Sequence, residues 1–281
     1  MDAHSSWNAT LFFVTLSLIA MNNSPAPKQS VSVKKGDVFA LGDHVLLCGD
    51  SSDADAISNL LNGQKVNMIL CDPPYAVDYV ASKEEFRQKK SKHQSIANDH
   101  LQTHEEYQAF SQRWLQAIIP HLAKKNTIYV FNVDHMIFPL HDALVESGCR
   151  FSQLLIWIKS QAVVGRKDYL PQNELICVAW YGAHAFYKAK DKSVLFCPKP
   201  ARNDFHPTEK PISLLRRLIL NSSAIGDTVF DGFGGGGSTL LACEQTKRRC
   251  VTVECNEDYC ETIIKRFEQM TNIKVKPLSN S

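Results

Sequence analysis

"DTVFDGFGGGGSTLLACEQTKRRCVTVECNEDY", residues 227–259, holds the pattern from which the rest of the chain can be read. Asp227 to Asp231 predicts a strand, Gly232 to Gly237 a glycine-rich turn, and Ser238 to Thr246 a helix. Cys250 to Glu254 predicts a second strand that ends in an acid. In such a β-loop-α-β unit the glycines let the backbone approach a ligand closely at the helix N-terminus. Glu254 stands where a carboxylate can accept hydrogen bonds from ribose hydroxyls. Sites for NAD, FAD and S-adenosylmethionine all use this geometry. Asp231 separates them, because a carboxylate repels a pyrophosphate but suits the cationic methionine portion of S-adenosylmethionine. Position in the chain points the same way. A dinucleotide enzyme usually opens with this unit, yet only 44 residues follow Gly237 here. The remaining strands must come from upstream, so the sheet is permuted.

Upstream, "CDPPYAVDY" at residues 71–79 follows the apolar run Val66 to Leu70. A strand stopped by Asp72-Pro73-Pro74-Tyr75 places a carboxylate, a stiff backbone and an aromatic ring at the mouth of a sheet. Val38 to Leu41 and Val45 to Cys48 read as a hairpin, and Asp53 to Leu61 as a helix. Glu105 to Leu122 has helical periodicity, with Phe110, Trp114, Leu115 and Ile118 on one face. Thr127 to Asn132, Phe151 to Lys159 and Leu175 to Tyr181 read as further strands. The alternation predicts an α/β fold, Rossmann-like but permuted, with a mostly parallel twisted sheet and helices on both faces. Two stretches break the pattern. Lys83 to His93 is charged, while Gln161 to Tyr169 and Trp180 to Asn203 are loop-like, aromatic and basic.

The length of 281 residues suits one large domain, or one domain with a small lobe. With 31 Lys+Arg against 29 Asp+Glu, a nucleic-acid partner would need a local basic face. The nine cysteines include no Cys-x-x-Cys pair, so no metal site is expected; they read as buried reduced thiols of a cytoplasmic protein. Cys71, which precedes Asp72, reads as a structural thiol. Leu11 to Ala20 is too short to span a bilayer, and Met21 follows at once. Residues 1–35 are therefore expected to be a disordered extension, and no membrane partner is expected.

With the glycine loop, the Asp72–Tyr75 motif and "HPTEKP" at 206–211 in hand, the sequence resembles the β class of S-adenosylmethionine-dependent DNA amino-methyltransferases. That class places its catalytic motif first, target recognition in the middle and the cofactor loop last. Residues from about 36 to 270 follow this order. The implied division is an extension (1–35), a catalytic part (36–159), a small irregular target-recognition region (160–205), a cofactor-binding part (206–272) and a tail (273–281). Asp231, Phe233, Gly235, Gly237, Ser238 and Thr239 match the cofactor loop, and Glu254 the ribose-binding acid. Asp50 matches an acid beside the adenine of the cofactor. His206, Thr208 and Lys210 match the segment closing over its methionine end. Gly232, where the family usually has proline, and Ala76, where asparagine often follows the tyrosine, depart from the pattern.

The opening motif carries the chemistry. An exocyclic amino group on a base is a poor nucleophile because its lone pair is delocalised into the ring. Asp72 can accept one of its N–H bonds and the carbonyl of Pro73 the other, on a backbone that Pro73 and Pro74 hold rigid. Tyr75 offers a face on which a flipped base stacks. The resemblance implies methylation of adenine N6 in double-stranded DNA, by a homodimer associated with the nucleoid. Cytosine N4 is the alternative target. An RNA or protein amine methyltransferase, or a catalytically silent binding module, are lesser readings. Lys89, Lys90 and Lys92 are expected to follow phosphates, and Arg166, Lys167 and Tyr169 to meet DNA from the recognition region.

Overall fold

The computed structural model describes residues 31–76, 99–163, 167–188, 191–198 and 209–278. The expectation of disorder over 1–35 therefore falls mostly outside the described residues. Its last part does not hold, because Val33 is buried and Lys35 N–H donates to Glu257.

Local signals account for most of the elements. The hairpin is β1 (Val38–Leu41) and β2 (His44–Cys48), joined through Gly42 at positive φ. Helix α1 (Ala54–Leu61) starts where the Asp53 side chain accepts the Ala56 N–H. Strand β3 (Val66–Cys71) follows, and helix α2 (His104–Ile118) opens with a reciprocal Thr103–Glu106 capping box. This helix is shorter than its periodicity predicts. Pro120 sits in a 3₁₀ turn (Ile119–His121), and the chain then enters β4 (Leu122–Asn132). Next come α3 (Ile137–Glu146), β5 (Arg150–Ile158), β6 (Asn173–Trp180), β7 (Ala183–His184) and β8 (Val194–Phe196). The C-terminal part runs α4 (Ile212–Ser222), β9 (Thr228–Asp231), α5 (Ser238–Thr246), β10 (Arg249–Glu254), α6 (Glu257–Thr271) and β11 (Lys276–Leu278).

The sheet order is β11-β1-β2-β10-β9-β3-β4-β6-β5-β8, with β7 against β4. Strands β2, β10, β9, β3 and β4 are mutually parallel, so their carboxyl ends share one edge. Strand β6 runs antiparallel to β4, and its first residues therefore reach that same edge. Helices cover both faces, as the alternation predicted. On one face Ile57, Trp114 and Leu140, from α1, α2 and α3, pack with Ile69 and Val130. On the other, Tyr129 bonds Ser222 of α4 at 2.7 Å.

Two expectations change. The tail at 273–281 is partly an edge strand, because β11 pairs antiparallel with β1, and an edge position tolerates Pro277. The stretch from Trp180 to Asn203, read as loop-like, holds strands β7 and β8 among its described residues. Trp180 pairs with Arg150 at the sheet edge opposite Asp72, and β8 then runs back alongside β5. Trp114 of α2 is fully buried against Phe233.

Candidate active site

The shared strand edge collects acids. Asp50 follows β2, Asp72 follows β3, Asp231 ends β9, Glu254 ends β10, and Glu174 opens the antiparallel β6. All five line one cavity of ≈ 850 Å³ together with Pro73, Pro74, Tyr75, Phe233 and Lys210. That volume is in the range of sites that enclose a cofactor or a drug-sized ligand.

The glycine loop forms one half of the cavity. A Cβ on Gly234 would stand 2.7 Å from Thr252 Oγ1 and 3.2 Å from Ile263 Cδ1, so the loop lies directly on β10 with no room for a side chain. Gly237, at φ +81°, turns the chain into α5 and does not itself line the cavity. Glu254 accepts the Gly235 N–H at 2.7 Å and the Asn256 N–H at 2.8 Å, and burial pushes its carboxyl up. Asp231 is buried and accepts the Phe233 N–H at 3.0 Å. Burial raises it to about 7, despite the opposing hydrogen bond from Thr239. Phe233 is held edge-on to Trp114 at 5.6 Å. Ser238 donates to Glu209 at 3.1 Å. Asp50 is exposed on the rim, where Oδ1 caps the Ser52 N–H.

These residues fit S-adenosylmethionine: a bare backbone cradle, a buried acid able to meet a cation and a second acid at the next strand end. Asp231, Phe233, Gly235 and Glu254 would hold it. Gly232 shows what replaces the family's proline. Its N–H donates to Cys71 Sγ at 3.3 Å, a bond proline cannot make, and a Cβ at this position would stand 3.0 Å from Ser51 Cβ. Cys71 is buried and engaged in this packing.

The other half of the cavity is an ion network. Tyr75 donates to Asp72 Oδ1 at 2.5 Å and to Glu174 Oε2 at 3.2 Å. Lys210 Nζ lies 2.5 Å from Asp72 Oδ2 and 3.2 Å from Glu174 Oε2. Lys159 Nζ reaches Glu174 Oε1 at 2.7 Å. Both lysines are buried. Burial pushes the Asp72 carboxyl up; Lys210 opposes that push and Glu174 adds to it. Burial pushes Glu174 up as well, but Lys210 and Lys159 outweigh it and hold the group below its ordinary range. Lys210 stays charged, because Asp72 and Glu174 outweigh the cost of burial. Burial and the two carboxylates keep Tyr75 a neutral donor. Ala76 follows at φ +56°, a left-handed conformation that asparagine adopts more readily than alanine.

Lys210 thus sits on Asp72, whereas the resemblance implied a place at the methionine end of the cofactor. Its neighbour Glu209 faces the other way and pairs with Arg266 at 2.5 Å. Arg266 also donates to the Gly236 carbonyl, tying Glu209 to the glycine loop. His206, Thr208, Lys89, Lys90, Lys92 and Arg166 lie outside the described residues. Lys167 lines the cavity mouth, paired with Asp134 at 3.1 Å, and Tyr169 is 91% exposed. Sequence reasoning missed Lys159, Glu174, Glu209 and Arg266. A charge closing an apolar strand, as in Trp157-Ile158-Lys159 or Asn173-Glu174-Leu175, was the available signal for the first two.

Comparison with known proteins agrees with this geometry. Type II methyltransferase M.HpaI of Haemophilus parainfluenzae is 25% identical over 257 residues, covering 82% of this chain and 76% of that protein. The crystal structure of an M1.HpyAVI-SAM complex superposes with a TM-score of 0.58 at 23% identity, over 79% of this chain and 98% of that one. The cytosine-N4-specific PvuII DNA methyltransferase gives 0.60 at 13% identity, over 82% and 91%. The family model for N6/N4 DNA methylases matches residues 66–266, the span that contains both Asp72 to Tyr75 and the glycine loop, and the chain belongs to that family of S-adenosylmethionine-dependent DNA amino-methyltransferases.

Proposed function

We propose that this chain methylates the N6 amino group of adenine at specific sites in double-stranded DNA. The observation that carries the reading is the placement of Asp72, Pro73 and Tyr75 in the same cavity as the glycine loop. When bound, S-adenosylmethionine supplies a methyl group activated by its sulfonium. Asp72 accepts one N–H bond of the flipped base's amino group and Pro73 C=O the other, which turns the nitrogen lone pair toward that methyl. Their rigid backbone makes the contribution mainly one of positioning. Tyr75 stacks on the base, and the walls of the cavity keep water from the reacting atoms.

Aspartate at the first motif position supports adenine, as does the larger stacking face of a purine. Cytosine N4 is the second reading, favoured by the structural likeness to a cytosine-N4 enzyme. Digestion of DNA from a methylation-free host expressing the chain, with mass analysis of the nucleosides, decides between them. N6-methyladenine is expected; N4-methylcytosine alone would replace the target and keep the mechanism. Light scattering tests the homodimer expected from the resemblance.

A further inference from the structure

Beyond Lys210, the ion network contains two further groups, Glu174 and Lys159, that neither stack on a base nor belong to the Asp-Pro-Pro-Tyr motif. They come from two strands, β6 and the end of β5, and meet at 2.7 Å beneath Tyr75 and Lys210. Such an arrangement is costly to bury unless each charge is matched. Matching is close here. Two ammonium groups face two carboxylates, and Glu174 takes bonds from Lys159, Lys210 and the Tyr75 hydroxyl.

We infer that Glu174, itself balanced by Lys159, is a positioning residue that sets the strength of Asp72 as acceptor of the amino group and of its proton. This rests on the proposed amine methylation. As the amino nitrogen gains its methyl group it becomes cationic, and one of its protons must leave. Asp72 receives that proton and passes it to water; nothing is oxidised or reduced. An Asp72 bonded to Lys210 alone would be a weak proton acceptor, because the ammonium stabilises the carboxylate. Glu174 shares Lys210 and so returns basicity to Asp72. Lys159 in turn limits how far Glu174 can repel it. The same carboxylate holds the Tyr75 hydroxyl, which ties the stacking ring to the acceptor.

Among the described residues, the other groups facing Asp72 are Tyr107 from α2, Asp231 from β9 and Cys71 on its own strand. Glu174→Gln and Lys159→Met leave all three in place. The two substitutions therefore act on Asp72 with opposite sign. Glu174→Gln leaves two cations against one carboxylate and lowers its proton affinity; Lys159→Met frees Glu174 and raises it.

The test is a carboxyl ¹³C NMR titration of Asp72 in the full chain without DNA, assigned by Asp72→Asn, alongside pH–rate profiles. In Glu174→Gln the Asp72 titration and the acid limb of kcat should both move to lower pH, with kcat down about ten-fold or more. In Lys159→Met both should move to higher pH, and the double variant, which leaves Asp72 with Lys210 alone, should lie between Glu174→Gln and the unsubstituted protein. Affinity for S-adenosylmethionine should stay within about two-fold throughout. A purely structural role would lower activity without opposite shifts. Shifts of the same sign, or none, overturn the inference. Should Glu174→Gln not fold, the sign of the Lys159→Met shift decides alone. Absence of methyl transfer by the unsubstituted protein would count against the proposed function, whereas an unmoved Asp72 titration would count against the network.

Discussion

Glu209 and Lys210 are consecutive in the chain, yet their side chains end in different halves of the cavity. Glu209 is bonded to Arg266 and Ser238 beside the glycine loop, and Lys210 to Asp72 and Glu174. One dipeptide therefore joins the cofactor cradle to the amine pocket. Displacing either residue disturbs both.

The Asp72 carboxylate can be removed without stranding Lys210, because Glu174 remains as its partner. Asp72→Ala should fold and bind S-adenosylmethionine close to normally while losing methyl transfer. Radiolabel transfer and calorimetric titration separate the two. Activity above about a tenth of the original rate, a loss under roughly 1.4 kcal/mol, would remove Asp72 from its assigned role.

The Tyr75 hydroxyl is bonded to two carboxylates, so a pure stacking role understates it. Tyr75→Phe should keep the ring and lose the tie, slowing turnover by about ten-fold. Tyr75→Ala should lose nearly all activity. Steady-state kinetics on the two variants provide the check, and an equal loss in both would show that stacking is not the larger effect.

Cofactor affinity should depend on pH through Asp231. Burial raises this group to about 7, so near neutrality it is partly protonated in the free protein. A cation binds the ionised form better. Affinity should therefore rise as pH climbs through that value, with a proton released on binding below it. Calorimetry in buffers of different ionisation enthalpy measures the release. Asp231→Asn should weaken binding and abolish the pH dependence. The same shift has a stability consequence for the free protein. The folded state holds this proton where the unfolded chain, near pH 4, has lost it, so the group stabilises the fold less as pH rises toward 7.

Gly234→Ala should damage the cradle directly. The added carbon meets Thr252 Oγ1 at 2.7 Å with Ile263 behind it, and a shift of loop or strand must follow. A loss of about 1–3 kcal/mol in stability is expected from such overpacking. Denaturant melts give that figure, and cofactor binding should weaken in parallel. A variant of unchanged stability and affinity would mean that the loop does not rest on β10 as described.

Much of the parallel core was legible because its signals are local. Apolar runs ending in Asp72, Asp231 and Glu254 mark strand ends, and the glycines between Asp231 and Ser238 mark the turn. The direction of β6 was not legible. A strand carries no mark of whether its neighbour is parallel, and only the antiparallel choice brings Glu174 to the catalytic edge. The contacts of Lys210 were not legible for a related reason. Glu209 and Lys210 are adjacent, and which half of the cavity each side chain enters depends on tertiary contacts. Helix α2 was overrun because Leu122 continues its apolar spacing, although Pro120 had already broken the ladder.

The join between β5 and β6 has a consequence for how such a protein could change what it reads. The chain leaves the sheet after Lys159 and re-enters it at Asn173. That doorway is closed by the Lys159–Glu174 ion pair and by the Lys159 N–H donating to the Gln172 carbonyl. Chain inserted or exchanged beyond the doorway need not move Asp72, because the hinge points are bonded to each other and to the sheet. The fold thus sets the cavity apart from the chain that departs after Lys159, and under the proposed function a change of sequence beyond that threshold can leave Asp72 still.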